Sequence, residues 1–236
     1  MAREAYNSAK NIIVGASPLF ISKSQTGLSK LDPTAGAEKV DFVSGESYID
    51  TLNGTTGANK WKNVGYTNNG LQITYNPSYG SVTVDQLLDT AKLFKESMEV
   101  MLATEMAEGV LENLVVVFGQ PDVAGNDTIS SSNTLQSTDP AAGTTKSLGL
   151  AAGALLQSPV ERQLCAVGPA PEYQVTGYTK NERVYYARRV LSVQQSQFSL
   201  ARNTPTTFPV TFRLLPSGDA AYAGQEYGKI IDRVYA

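Results

Sequence analysis

Residues 61–85 read WKNVGYTNNGLQITYNPSYGSVTVD, and this stretch decides the fold class. Leu71, Ile73 and Tyr75 alternate with Gln72, Thr74 and Asn76, and the period of two is that of a strand with one buried and one polar face. Asn69-Gly70 supplies residue types that accept positive φ, so Trp61–Tyr75 reads as a hairpin turning at that pair. Val82 and Val84 repeat the alternation against Ser81, Thr83 and Asp85.

Working outward, a loop is expected at Leu88–Lys92, after which Met98, Val100 and Leu102 alternate with Ser97, Glu99 and Met101. The period then changes. Leu111, Leu114, Val115 and Phe118 fall at i, i+3, i+4 and i+7, the core face of an amphipathic helix placed over about Glu105–Phe118 and stopped by Gly119 and Pro121. Further strands are expected at Glu161–Val167, Glu182–Val193, Phe198–Leu200 and Phe208–Leu215, with a final short strand in Tyr222–Ala236. Upstream, Ile12–Ser22 carries Gly15 and Pro18 and suits an edge strand broken by a bulge. The expected fold is mainly β, a sandwich or partly closed barrel with one flanking helix, in a single domain spanning 1–236. Its appendages are an N-terminal arm (1–10), a long loop (45–60) and a Ser/Thr-rich insertion (122–147).

Composition narrows the function. The 236 residues are 42% hydrophobic but only 17% charged, against about 25% in an ordinary soluble chain. A net charge of -3 provides no overall basic field to hold a nucleic-acid backbone. With no His and one Cys, His-dependent triads, His-containing zinc sites and an intrachain disulfide all drop out. No secretory signal or membrane anchor is read in the N-terminal stretch, and the sequons at Asn53 and Asn126 read as chance loop sequence.

The remaining constellations are weak. In Gly54-Thr-Thr-Gly-Ala-Asn-Lys60 the Lys does not follow the second Gly directly and a strand comes next, unlike a phosphate loop. Glu96 and Glu99 fall on opposite faces of a regular strand, and no partner group is evident for them or for Glu105 and Glu108. Cys165 sits in an apolar run as a buried, inert thiol. Lys180, Arg183, Arg188 and Arg189 are the one basic cluster; alternation splits Arg188 from Arg189, which favours salt bridges at interfaces over a nucleic-acid patch. Tyr178, Tyr185 and Tyr186 suit cross-strand packing. No catalytic, cofactor or metal residue is assigned.

The order of segments resembles the major tail tube proteins of long-tailed bacteriophages. The similarity lies in Val64–Tyr75 (VGYTNNGLQITY), Val82–Gln86 (VTVDQ), Ala107–Leu114 (AEGVLENL) and Phe208–Pro216 (FPVTFRLLP), together spanning about Val64 to Pro216. The 122–147 stretch departs from the family's compact pattern. The resemblance implies a virion structural protein, made in the host cytoplasm, that assembles as hexameric rings stacked around a tape-measure protein. Its other partners would be tail terminator and baseplate or tip proteins, and a sheath if the tail contracts; DNA would pass through without being held. On that basis Ser81, Thr83, Asp85, Ser97 and Glu99 are expected to face the lumen. Arg3, Tyr6, Tyr48, Ile49 and Leu52 are expected to make contacts between rings. The competing expectation is a non-enzymatic β-sandwich binding module, such as a capsid decoration or adhesin domain.

Overall fold

The structure, a computed structural model, describes residues 12–22, 61–84, 89–119, 160–172, 177, 180–193, 196–218 and 220–235. Among these residues eight strands form in chain order: β1 (Leu19–Ser22), β2 (Trp61–Asn63), β3 (Thr67–Thr83), β4 (Thr90–Met106), β5 (Arg162–Pro169), β6 (Lys180–Ser192), β7 (Phe208–Leu214) and β8 (Gly228–Tyr235). Among the described residues one helix, α1 (Leu111–Val117), joins them, with one 3-10 turn at Ala220–Tyr222. All pairings are antiparallel, in the order β2-β1-β5-β6-β7-β4-β3, with β8 also on β6.

β6 is where the sheet divides. One of its edges pairs with β5; its other edge pairs first with β8, over Lys180–Ala187, and then with β7, over Val190–Ser192. One half-sheet therefore carries β2, β1, β5 and β8, and the other β7, β4 and β3. Between them lies the main core, with Leu19, Ile21, Leu164 and Ala166 facing Val100, Leu102, Met106, Phe208, Val210, Phe212 and Leu214. Each of the larger of these side chains, moved from water to this interior, contributes about 1.5–3 kcal/mol. A second cluster, Phe20, Trp61, Cys165, Val167, Val184 and Tyr186, covers the back of the first half-sheet, so β1 and most of β5 are buried on both faces.

Several expectations are corrected. Trp61–Tyr75 is not a hairpin: β2 pairs with β1, while β3 pairs with β4. Asn69 and Gly70 do adopt positive φ, 61° and 65°, but inside β3, where Gly70 has no Cβ to strain and the pair makes a bulge between Asn68↔Glu105 and Gln72↔Ala103. β1 is an interior strand, and Pro18, which lacks an N–H, stands just before it. Thr90–Lys92, expected in a loop, already belongs to β4, and Phe198–Leu200 forms no strand.

The helix is shorter than its periodicity implied. Glu105 and Met106 end β4, and α1 covers two turns only. Of its expected core face Val115 is buried, Leu111 and Leu114 are half-buried, and Phe118 is 39% exposed because the chain leaves the helix there. Val116 and Val117 are buried instead, joining the core at the helix end, and Gly119 closes it with its N–H on the Val116 carbonyl at 3.1 Å. Asn113 is fully buried and donates from Nδ2 to the carbonyls of Val64 (2.9 Å) and Glu108 (3.0 Å), fixing the helix to the connection between β2 and β3.

Candidate assembly interface

β3 and β4 are each 17 residues long, but β7 supports β4 only through Met101–Met106. From Thr90 to Val100, β4 has β3 as its sole partner among the described strands, and the far edge of β3 has none. The ribbon thus runs on past the sheet with no strand partner on either outer edge among the described residues, a template for strand addition.

Its faces are set by register. Ile73↔Leu102, Tyr75↔Val100 and Pro77↔Met98 lie on the core side, and Lys95 belongs to this side too, its Nζ 2.8 Å from the Met98 sulfur and 6.0 Å from the centre of the Tyr75 ring. Gln72, Thr74, Asn76 and Ser78 with Ser97, Glu99 and the half-buried Met101 form the opposite, mainly polar face. The Glu99 carboxylate meets Arg213 of β7 on that face at 3.5 Å.

Between Ser78↔Ser97 and Tyr79↔Lys95 the register slips, leaving Glu96 as the extra residue. This bulge separates the residues expected to face a lumen together: Ser97 and Glu99 lie on the polar face, whereas Ser81, opposite Leu93, and by alternation Thr83 lie on the core side. The bulge also brings Glu96 to the Phe94 side of the ribbon, since a Cβ on Gly80 would fall 2.4 Å from Glu96 Oε1 and 2.6 Å from the Phe94 ring. Val82 and Val84, expected inward, are exposed. Asp85 lies outside the described residues, as do Arg3, Tyr6, Tyr48, Ile49, Leu52 and the stretches 1–10, 45–60 and 122–147.

Under the ribbon the two half-sheets part into an apolar crevice of about 430 Å³. Leu102, Leu164, Ala187 and Leu214 form part of its lining, and Ile73, Tyr75, Tyr185, Lys229 and Ile230 also line it. Tyr227 spans the walls, its hydroxyl donating to the Met98 carbonyl at 3.3 Å. The crevice exists because β8 and β7 share one edge of β6 in succession and diverge there, a feature that no local motif announces.

The other constellations resolve into internal structure. Arg183 binds Asp232 through Nε and Nη2 (2.5 and 2.6 Å), and Arg189 binds Glu161 through Nε and Nη2 (2.6 and 2.8 Å). Buried Arg188 lies 3.6 Å over the Tyr222 ring and donates to the Gln225 carbonyl at 3.1 Å. These three arginines, expected at interfaces between molecules, therefore serve contacts within the chain. Tyr186 meets Trp61 edge to face at 6.4 Å, and Tyr185 packs on the main core; Tyr178 lies outside the described residues. Cys165 is fully buried, and burial, with the nearby Glu182 carboxylate adding to it, pushes its thiol well above the usual range. Among the described residues no three Cys, Asp or Glu side chains gather to hold a metal, and no helix is long and apolar enough to cross a membrane.

No protein-family model matches the chain, and no curated protein matches it.

Proposed function

We propose that this chain is a structural virion protein, a subunit of a bacteriophage tail tube that polymerises as stacked rings and forms a conduit for DNA. The observation that carries the reading is the β3–β4 ribbon, which leaves its own sheet with neither outer edge partnered among the described residues and with one face mainly polar. A free edge of this length is a liability in a monomer. It becomes useful when the outer edge of β3 in one copy pairs with the open edge of β4 in the next, because repetition around a ring closes a barrel with no edge left.

The polar face of the ribbon, Gln72, Thr74, Asn76, Ser78, Ser97 and Glu99, then lines the lumen. It carries hydroxyls, amides, the half-buried Met101 and one carboxylate, Glu99, which offsets the neighbouring Arg213, so no uncompensated cation holds phosphates by counterion release. The number of copies, six, and the tape-measure, terminator, baseplate and sheath partners follow from the family resemblance alone. Electron microscopy of the purified full-length protein, with sedimentation across a concentration series, tests the proposal. Rings or tubes are expected, and a monomer persisting at high concentration would overturn it.

A further inference from the structure

Resting on that assembly reading, we infer that the tip of the β3–β4 ribbon plugs the apolar crevice of the neighbouring copy. The two halves of the ribbon differ in a way that strand pairing alone does not explain. Before the Glu96 bulge one face is apolar and the other polar except for the half-buried Met101, close to what a wall between core and water requires. Beyond it both faces carry apolar side chains: Leu93, 64% exposed, on the core side, and Phe94, 46% exposed, with Val82 on the other. A lumen wall has no use for apolar groups on its wet face, so the tip departs from the wall into an environment that covers both sides.

The crevice supplies that environment on the same chain. Its rim carries Ile73, Tyr75 and Ile230, which are 47%, 59% and 64% exposed, on walls contributed by β3 and β8. Each of these six side chains offers on the order of 100 Å² of accessible apolar surface, about 600 Å² in all. At the usual apolar share of 56–58%, this implies an interface of roughly 1,000 Å², where specific association begins. Lys92 and Lys95 also lie on the tip, so its charge as a whole does not match the rim; the one pair the contact can form is Glu96 of the tip with Lys229 of the rim, neither of which has an ion-pair partner among the described residues. Tip and crevice are different patches of one chain, so the contact is head-to-tail and propagates around a ring, where an isologous contact would stop at two copies.

Two kinds of variant test the contact, each first checked for a native melting transition. The tip variant Leu93→Asp/Phe94→Asp and the crevice variant Ile230→Asp should each raise the concentration needed for assembly about thirtyfold, the scale of a hot-spot loss. Mixed together they should give heterodimers and nothing longer, because only one donor and one acceptor survive. Glu96→Lys and Lys229→Glu should each weaken assembly, and the double exchange should restore it. A tip variant that assembles like the wild type would overturn the plug while leaving the tube proposal standing. A wild-type chain that never assembles would overturn both.

Discussion

Asn69 holds a left-handed backbone, φ 61°, while its side-chain amide donates to the Glu105 carboxylate of the facing strand at 2.9 Å. The same Oε2 accepts from Asn68 at 2.8 Å, Oε1 accepts from the Thr207 hydroxyl, and Thr104 Oγ1 donates to the Gly70 carbonyl at 3.0 Å. The bulge at the root of the ribbon is thus clamped by one carboxylate that also reaches the segment leading into β7. Glu105→Ala removes the acceptor from three donors, of which only Thr207 is partly buried, and urea denaturation should register a loss of about 1–2 kcal/mol. Gly70→Ala should lose a similar amount, about 1–2 kcal/mol, by forcing a Cβ into the left-handed region.

The same residues mark how far the sequence could be read. Asn69-Gly70 announces positive φ, and the structure has it, but a tight turn and a bulge use the same pair. What separates them is a partner 36 residues away, Glu105, which no local pattern names. Thr104 is a residue type that can cap a helix beginning at Glu105, yet Thr104 and Met106 continue the inward alternation of Val100 and Leu102, and the strand runs on through both. That alternation identified the buried face of β4 correctly. The open face of β3 and the crevice were beyond its reach, since exposure there depends on where β7 stops supporting β4.

Gly228 is required by close approach. It pairs with Ala187 at φ 149°, and a Cβ there would lie 2.0 Å from the Tyr186 carbonyl oxygen and 3.0 Å from the Ala187 Cα, both on backbone that cannot yield. Gly228→Ala should detach the start of β8 from β6 and destabilise the fold by about 2–4 kcal/mol. Hydrogen exchange would detect this as faster exchange at Lys229–Asp232, with β5 amides less affected.

Cys165 gives the protein an alkaline limit. The unfolded thiol titrates near 8.5, whereas the buried one stays protonated to well above that. Below about pH 8.5 both states hold the proton and the group contributes no slope. Above it the unfolded state releases a proton that the native state keeps, so stability falls by about 1.4 kcal/mol per pH unit until the native pKa is reached. Tyr186, whose phenol burial also raises, adds a slope of the same sign above about pH 10. Cys165→Ala should show a shallower decline in unfolding free energy from pH 8.5 to 10 than the wild type, whatever its stability at neutral pH. The native thiol should also resist Ellman's reagent until denaturant is added.

Glu99 and Asn76 face each other across the polar side of the ribbon, and Glu99 meets the Arg213 guanidinium at 3.5 Å. If this face lines a conduit, its charge balance decides whether DNA slides or sticks. Asn76→Lys with Ser97→Lys adds two exposed cations without touching the core side of either strand, and Glu99→Gln removes the carboxylate that offsets Arg213. Repeated around a ring, either change makes a collar of positive charge whose hold on phosphate rises with every counterion released. Assembled tubes of the double Lys variant should retain short duplex DNA at low salt and release it steeply as salt rises, while wild-type tubes should retain none. Virions carrying the variant should eject DNA more slowly, with Glu99→Gln between the two; equal DNA retention by all three would place this face away from the lumen.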